Sequence, residues 1–233
     1  MTGEFYELKI YKIFDFEKQK IADEYLETAL LPALNRQGVN QVGVFHNLKD
    51  ENDHSIYVLI VWPDLDGFAQ CNEKLGTDTA YLEAAKSHTE RPPKDGVFAR
   101  IETRLLKAFS GMSTLEMPTA STEGSERIFE LRLYESHTEE HARRKVNMFN
   151  DGEIQLMKDV ELGPVFFGET IVGADMPNLV YMLWAKNEEE HKEHFKTFLD
   201  SPRWKAMKGL PQYKHTVSKI HSWFLKPAPY SKM

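Results

Sequence analysis

One seven-residue pattern occurs twice in the chain and decides the predicted fold. Residues 5–11 read FYELKIY, and residues 128–134, 123 positions later, read IFELRLY. In both copies apolar residues alternate with an acid, a base and a tyrosine. A period of two is typical of a strand with two different faces. Two such strands with the same polar order indicate a duplicated module.

The elements that follow each copy of this strand are predicted in the same order. Each copy leads into a helical pattern, then a hairpin of two strands, two short helices and a closing strand. This order, β-α-β-β-α-β, is that of a ferredoxin-like module. When the two halves of the sequence are aligned, Tyr57 matches Tyr181 and Tyr81 matches Trp204.

Composition places the boundary between the two modules. Residues 111–126 are rich in Ser, Thr, Gly and Pro, as linkers are. We therefore expect one module at 4–110 and a second at 127–233. Each antiparallel sheet would carry helices on one face only, so its other face needs a cover. The predicted fold class is α+β, with the two modules pairing sheet to sheet.

Composition and charge exclude several classes of function. The 233 residues carry a formal net charge of −7, which argues against nucleic acid or an anionic membrane as a partner. No apolar run approaches the roughly 20 residues that a membrane span needs. The start of the chain shows no signal peptide. The compartment stays open between the cytoplasm and export with a leader already removed.

Several segments of the second half resemble NIPSNAP-domain proteins. They are the strand Phe129–Tyr134, the segments PVFFGE at 164–169 and NLVYMLW at 178–184, and SPRW at 201–204. The resemblance covers nearly all of 127–233 and, in more divergent form, 4–109. It implies two tandem NIPSNAP domains with the fold of the dimeric α/β-barrel superfamily, which includes small monooxygenases and haem-handling enzymes. It implies no agreed reaction.

The polar side of the second repeated strand carries the candidate site. Leu131 and Leu133 are expected to pack on the helices, which would turn Glu130, Arg132 and Tyr134 toward the sister module. A carboxylate and a guanidinium placed partly out of water must be paired. One interpretation is thus an ion pair that fixes how the sheets dock. The other is a ligand site, with Glu130 as acid or base, Arg132 as anion clamp and Tyr134 as proton donor.

Two further sets of residues extend this candidate site. In the first half Glu7, Lys9 and Tyr11 form the equivalent polar set. In the second half Glu169 follows Gly168 in an otherwise apolar strand. We expect Glu169 to form a salt bridge with Arg132 or with an arginine of the following helix, and a catalytic role is the alternative.

The sequence predicts no metal site and no cofactor. The chain has one cysteine, Cys71, so it cannot form an intrachain disulfide. Cys71 is expected to be a small buried residue. His137 and His141 have a spacing compatible with a metal but are expected on a solvated helix surface. His191 is expected on a charged outer face. His221, on the closing strand, is not expected to bind haem or metal.

Two functions are consistent with these patterns. The leading one is a NIPSNAP-type module of undefined activity that binds a small ligand or a protein. The alternative is a cofactor-independent monooxygenase or isomerase, with Glu130, Arg132, Tyr134 and Glu169 lining a site between the two sheets. The expected partners are a small molecule or a protein and, within the chain, the sister module. Assembly into a homo-oligomer is left open.

Overall fold

The computed structural model describes residues 3–118 and 127–233, which divide into two compact units. The N-terminal unit comprises Phe5–Thr103 and Pro227–Met233, and the C-terminal unit comprises residues 3–4, 104–118 and 127–226. Both units combine helices with antiparallel strands, so the chain has the mixed α and β structure that the sequence predicts.

The N-terminal unit begins with a strand and a long helical segment. Its elements are β1 (Phe5–Ile13), α1 (Phe16–Tyr25), a π-helical turn (Leu26–Leu30), α2 (Leu31–Arg36), β2 (Val42–Asn47), β3 (Ile56–Trp62), α3 (Leu65–Thr77), α4 (Thr79–Thr89) and a 3-10 turn (Pro93–Asp95). Strand β3 lies between β1 and β2 and is antiparallel to both. Asp15, Asp64 and Asp78 cap α1, α3 and α4, because each side chain accepts a backbone N–H of the first turn.

The C-terminal unit repeats this order. Its elements are β4 (Phe98–Ala108), β5 (Ile128–Glu135), α5 (Glu139–Met148), a π-helical turn (Phe149–Glu153), α6 (Ile154–Asp159), β6 (Pro164–Val172), β7 (Asn178–Ala185), α7 (Glu188–Asp200), α8 (Pro202–Gly209), a 3-10 turn (Pro211–Tyr213) and β8 (Lys219–Pro227). The part of β4 before Arg104 and the last residue of β8, Pro227, belong to the N-terminal unit. The strands pair antiparallel in the order β8-β5-β7-β6-β4.

The internal duplication is confirmed at the level of single residues. Helices α1 and α5 begin at Phe16 and Glu139, and α3 and α7 begin at Leu65 and Glu188, so both pairs are offset by 123. From β1 to α4, adding 123 to a residue number therefore gives its counterpart in the second half, while the closing strands β4 and β8 begin 121 apart.

This constant offset corrects the predicted match between Tyr57 and Tyr181. Tyr181 pairs with Arg132 across β5 and β7, whereas Tyr57 pairs with Ile10 across β1 and β3. Because strand side chains alternate, the one-residue difference places the two tyrosines on opposite faces. The counterpart of Tyr181 is Val58.

A hydrophobic core joins sheet and helices in each unit. In the N-terminal unit it includes Val44, Val58 and Leu34, all with no exposed surface. In the C-terminal unit Phe149 and Phe167 surround Tyr181, with ring centres 5.4 and 5.2 Å from its own. Within residues 3–118 and 127–233, no helix combines the length and the apolar character needed to cross a membrane.

Candidate functional site

The polar face of β5 is covered by helix α7 of its own unit. His191 Nε2 lies 2.8 Å from Glu130 Oε2, and the Arg132 guanidinium carbon lies 5.2 Å from the centre of the Phe195 ring. His191 and Phe195 both belong to α7. The predicted orientation, with this face turned toward the sister module, is therefore wrong. Alternation separates the two faces of a strand but does not reveal which of them meets the helices.

The apolar side of β5 is the side turned away from these helices. Leu131 and Leu133, predicted to pack on the helices, are nevertheless buried, at 1% and 3% exposure. Leu133 pairs with His221 across β5 and β8. His221 Nε2 lies 2.6 Å from a Glu135 carboxylate oxygen, so this histidine has a structural partner on that same side.

Glu130 is the centre of a hydrogen-bond network. Its side chain faces His191, accepts a hydrogen bond of 2.5 Å from Ser222 Oγ and accepts another from Arg132 Nη1. Burial by itself raises the pKa of Glu130, but the His191 hydrogen bond and the Arg132 charge outweigh it and lower the pKa. The carboxylate is thus held ionised. The prediction that His191 lies on an exposed face is wrong, because this residue is 5% exposed.

Arg132 extends the network into a group of aromatic rings. Its Nε donates a 3.3 Å hydrogen bond to the Tyr134 hydroxyl, which lies 2.8 Å from the Tyr181 hydroxyl. The guanidinium also lies 5.5 and 6.0 Å from the centres of the Tyr134 and Tyr181 rings. Burial raises the pKa of Tyr181 well above its ordinary value, so this phenol stays protonated. The predicted ion pair of Glu130 and Arg132 therefore exists, and the hydrogen bond between Glu130 and His191 ties it to the helix that covers β5.

Glu169 lies on the same side of the sheet as Tyr134, with β7 between their strands. Both residues pair with Leu179, and cross-strand partners share a face. Among the described residues Glu169 forms no ion pair, so the predicted salt bridge to Arg132 is wrong. A catalytic role for Glu130, Arg132, Tyr134 and Glu169 stays a prediction, and it now requires access from the helix side.

Sequence reasoning missed a second buried ion pair in this unit. Lys145 Nζ lies 2.7 Å from Glu153 Oε2, and the two residues are only 4% and 2% exposed. The ammonium also lies 4.3 Å from the centre of the Phe149 ring. The sequence does contain a sign of this pair. When the two halves are aligned, Lys145 and Glu153 occupy the positions of the apolar residues Ala22 and Leu30.

In the N-terminal unit the equivalent polar set has fewer partners. Glu7 accepts a 3.2 Å hydrogen bond from Trp62 Nε1, and Lys9 Nζ lies 3.5 Å from the Glu7 carboxylate. Burial by itself lowers the pKa of Lys9, but Tyr11 and Glu7 outweigh it and raise the pKa. Lys9 therefore stays charged at neutral pH.

A cavity of about 320 Å³ lies above this second pair. Glu7 and Lys9 line it together with Cys71 and Asn72 of α3 and with apolar residues that include Leu34. The difference between the units follows from the sequence. Phe195, which covers Arg132 in the C-terminal unit, has Asn72 as its counterpart, and the smaller side chain leaves the space above Lys9 open.

Cys71 is not the fully buried residue that the sequence predicts. It is partly exposed and lines this cavity. Burial raises the pKa of its thiol, and the nearby Glu7 carboxylate acts in the same direction. The side chain is therefore mainly a neutral thiol at pH 7, because a thiolate forms only near or above the thiol pKa.

Of the predicted pair His137 and His141, the second takes part in helix capping. His141 is in the first turn of α5, where its backbone N–H donates to Thr138 Oγ1 and its Nδ1 lies 2.8 Å from the same oxygen. In the part of the chain that the structure describes, no group of three or more His, Cys, Asp or Glu side chains has the arrangement of a metal site.

Solved structures show that the fold is shared by distant proteins. A protein of Fusobacterium nucleatum provisionally named a monooxygenase superposes with a TM-score of 0.65 at 9% identity, covering 97% of this chain and 93% of that chain. A Lactobacillus acidophilus protein with the same provisional name gives 0.60 at 11%, covering 97% and 94%. A heme-binding protein of Thermus thermophilus gives 0.51 at 12%, covering 99% and 94%. At these identities the likeness establishes the fold alone.

A family model matches the second half of the chain. Residues 129–232 match the NIPSNAP family model, which confirms the predicted resemblance to NIPSNAP-domain proteins. No curated protein matches the chain. The divergent NIPSNAP domain expected at 4–110 stays a prediction.

Proposed function

We propose that the N-terminal unit binds a small carbonyl or carboxylate compound in the cavity above Glu7 and Lys9. The observation that carries this proposal is the contrast between the two units. The same charged pair is covered by Phe195 in one unit, and in the other it opens onto a cavity lined by Asn72 and Cys71.

The chemistry of the lining indicates the class of ligand. An ammonium has three donors, and Lys9 directs one interaction at Glu7, so others are available to an acceptor oxygen in the cavity. Leu30, Leu34 and Leu75 provide apolar walls. A volume of about 320 Å³ corresponds to about ten water molecules, since each occupies about 30 Å³ in the liquid. Benzoate and isobutyramide are compounds of suitable size.

The single cysteine provides the test. Cys71 can be alkylated with N-ethylmaleimide in the presence of benzoate or isobutyramide, and the rate can be followed by mass spectrometry of the intact protein. A compound that fills the cavity is expected to slow alkylation. The variant Asn72→Phe, which restores the residue type of Phe195, is expected to slow alkylation without any ligand and to remove the benzoate effect.

A matched control separates filling of the cavity from a general effect on α3. Gln70→Phe adds the same ring to the same helix at an exposed position that does not line the cavity. We expect it to leave the alkylation rate unchanged. If Asn72→Phe reacts as fast as the wild type and neither compound protects Cys71, the proposal is wrong.

The finer description of the fold is also a proposal. We infer that residues 4–110 and 127–233 are ferredoxin-like modules joined by 111–126, and that their sheets pair within the chain. The offset of 123 from β1 to α4 and the strand order β8-β5-β7-β6 support this inference. A compact chain of 233 residues should have a radius of gyration of about 17 Å by small-angle scattering. A value several ångströms larger for the monomer would contradict the pairing.

The enzymatic alternative takes second place. The provisional monooxygenase names of two structural neighbours support it, while the geometry of Glu130 does not. A general acid or base must reach its substrate. Glu130 is 3% exposed and is engaged by His191, Arg132 and Ser222.

A further inference from the structure

A second cavity in the N-terminal unit, of about 380 Å³, is lined by aromatic rings. His88 stacks on Tyr25 with ring centres 4.1 Å apart and planes 12° apart. Phe98 stacks on His88, with ring centres 6.1 Å apart and planes 28° apart. Tyr11 meets Phe98 edge to face at 5.8 Å. The nearly parallel rings favour a flat ligand over a globular one.

Tyr11 supplies an unused hydrogen-bonding group in this cavity. It is 3% exposed, and its hydroxyl forms no hydrogen bond within residues 3–118 and 127–233. Its counterpart Tyr134 bonds to the hydroxyl of Tyr181, but the residue at the equivalent position of β3 is Val58, which has no polar atom. Because Tyr11 lines the cavity, its hydroxyl can donate a hydrogen bond to a ligand that enters it.

The charges beside the cavity favour an anion. Arg91 lines the cavity and forms an ion pair with Asp95, and Lys18 forms an ion pair with the same carboxylate. These three side chains together carry one net positive charge. Burial, and then the charge of Arg91, lower the pKa of His88, so this ring is neutral at pH 7 and stacks without competing for the anion.

We propose that this cavity binds a planar aromatic carboxylate. Its rings would lie against those of Tyr25, His88 and Phe98, its carboxylate would face Arg91, and Tyr11 would donate a hydrogen bond to it. At about 30 Å³ per water-sized group, the cavity accommodates about a dozen heavy atoms, which is the size of 2-naphthoate. This site is separate from the cavity above Lys9, and it does not depend on the function proposed there.

Calorimetric titration of the full chain with 2-naphthoate tests the proposal. Two analogues are titrated beside it: decahydro-2-naphthoate keeps the charge but is not flat, and 2-naphthylmethanol keeps the rings but has no charge. We expect 2-naphthoate to bind and each analogue to bind at least tenfold more weakly. Arg91→Gln should weaken 2-naphthoate at least tenfold and should leave 2-naphthylmethanol unchanged.

A blocking variant provides a second test that leaves the charges unchanged. Gly96 lines the cavity with a φ of −59°, and an added Cβ would meet only the Pro93 carbonyl oxygen, at 3.6 Å. Gly96→Leu is therefore compatible with the backbone, and it should abolish binding while its unfolding midpoint stays that of the wild type. Asn72→Phe, in the other cavity, should bind 2-naphthoate like the wild type.

Three results would overturn the proposal. The first is the absence of binding heat with 2-naphthoate in the wild type. The second is wild-type affinity in both Arg91→Gln and Gly96→Leu. The third is loss of binding in Asn72→Phe, which would place 2-naphthoate in the cavity above Lys9.

Discussion

The buried pair of Lys145 and Glu153 offers a quantitative test of how the C-terminal unit is held together. Both side chains are at most 5% exposed and their charged atoms lie 2.7 Å apart. Removing one partner of such a pair leaves an uncompensated buried charge, which costs about 3–5 kcal/mol. Replacing both partners by apolar residues of similar volume is often neutral or stabilising. Glu153→Leu should therefore be strongly destabilising, and adding Lys145→Met should restore most of the loss.

The first half of the chain already contains the apolar version of this pair. Ala22 and Leu30 occupy the equivalent positions and are 1% and 5% exposed, so the shared backbone accepts apolar side chains there. In a chain of this size a loss of 3–5 kcal/mol lowers the unfolding midpoint by about 6–20 °C. Tryptophan fluorescence is a suitable signal, because Trp204 lies 5.6 Å from the Lys145 ammonium.

The same pair predicts a dependence on pH. Burial raises the pKa of Glu153 in the folded chain, although Lys145 opposes the shift. In Lys145→Met that opposition is lost. A carboxyl whose folded pKa is raised binds its proton more tightly in the folded state, so stability falls as pH rises above its unfolded pKa of about 4.3. The variant should therefore be less destabilised at pH 5 than at pH 8.

Three outcomes would refute this reasoning. Single variants that each cost less than about 1 kcal/mol would show that the pair is not buried as described. A double variant no more stable than the worse single one would show that the apolar replacement does not pack. Equal destabilisation of Lys145→Met at pH 5 and pH 8 would show that Glu153 does not take up a proton.

Three further predictions concern the other polar groups of the two units. His191→Phe introduces the residue type of the counterpart Phe68 and leaves Glu130 without one hydrogen bond. It should lower the free energy of unfolding in urea by about 1–3 kcal/mol. An unchanged unfolding midpoint would contradict this prediction. The folded state lowers the pKa of Glu130, so its carboxylate stabilises the fold above about pH 4.3, and this contribution is lost as the pH falls through the folded pKa. Glu130→Gln should therefore lose less stability between pH 7 and pH 3 than the wild type does. Alkylation of Cys71 should reach half its maximal rate above pH 8.5, the ordinary thiol pKa, and a midpoint below 8 would contradict the raised pKa.

The order of the elements could be predicted from local patterns. The alternation of β1 and β5, and the acid or hydroxyl caps before the helices, depend on near neighbours in the chain. The orientation of the polar face could not be predicted in this way, since a period of two is the same whichever face is turned inward. The spacing of His191, Phe195 and Phe198 at four and three residues was the usable signal. It places them on one stripe of α7, the side that packs on the sheet.

The buried polar residues were the hardest to predict, because their partners are distant in sequence. His191 stands among glutamates and a lysine, and that composition indicated an exposed face. Its burial depends on Glu130, 61 residues away, which supplies the acceptor. Pairing of this kind follows from the tertiary structure, and no local propensity encodes it.

The two cavities above the polar face of β1 lie in the half of the chain that the family model does not match, and the packing explains why. Residues 129–232 match the NIPSNAP model, yet there the polar strand face is filled by Phe195, His191 and Tyr181. At the equivalent positions the first half has Asn72, Phe68 and Val58, and the first and third of these are smaller residues. Each smaller residue leaves a group unpaired or uncovered: Lys9 below Asn72, and the Tyr11 hydroxyl beside Val58. Divergence of the first half from the second thus coincides with the opening of space beside chemically active groups, and on this strand face ligand binding is better sought in the first half than in the second.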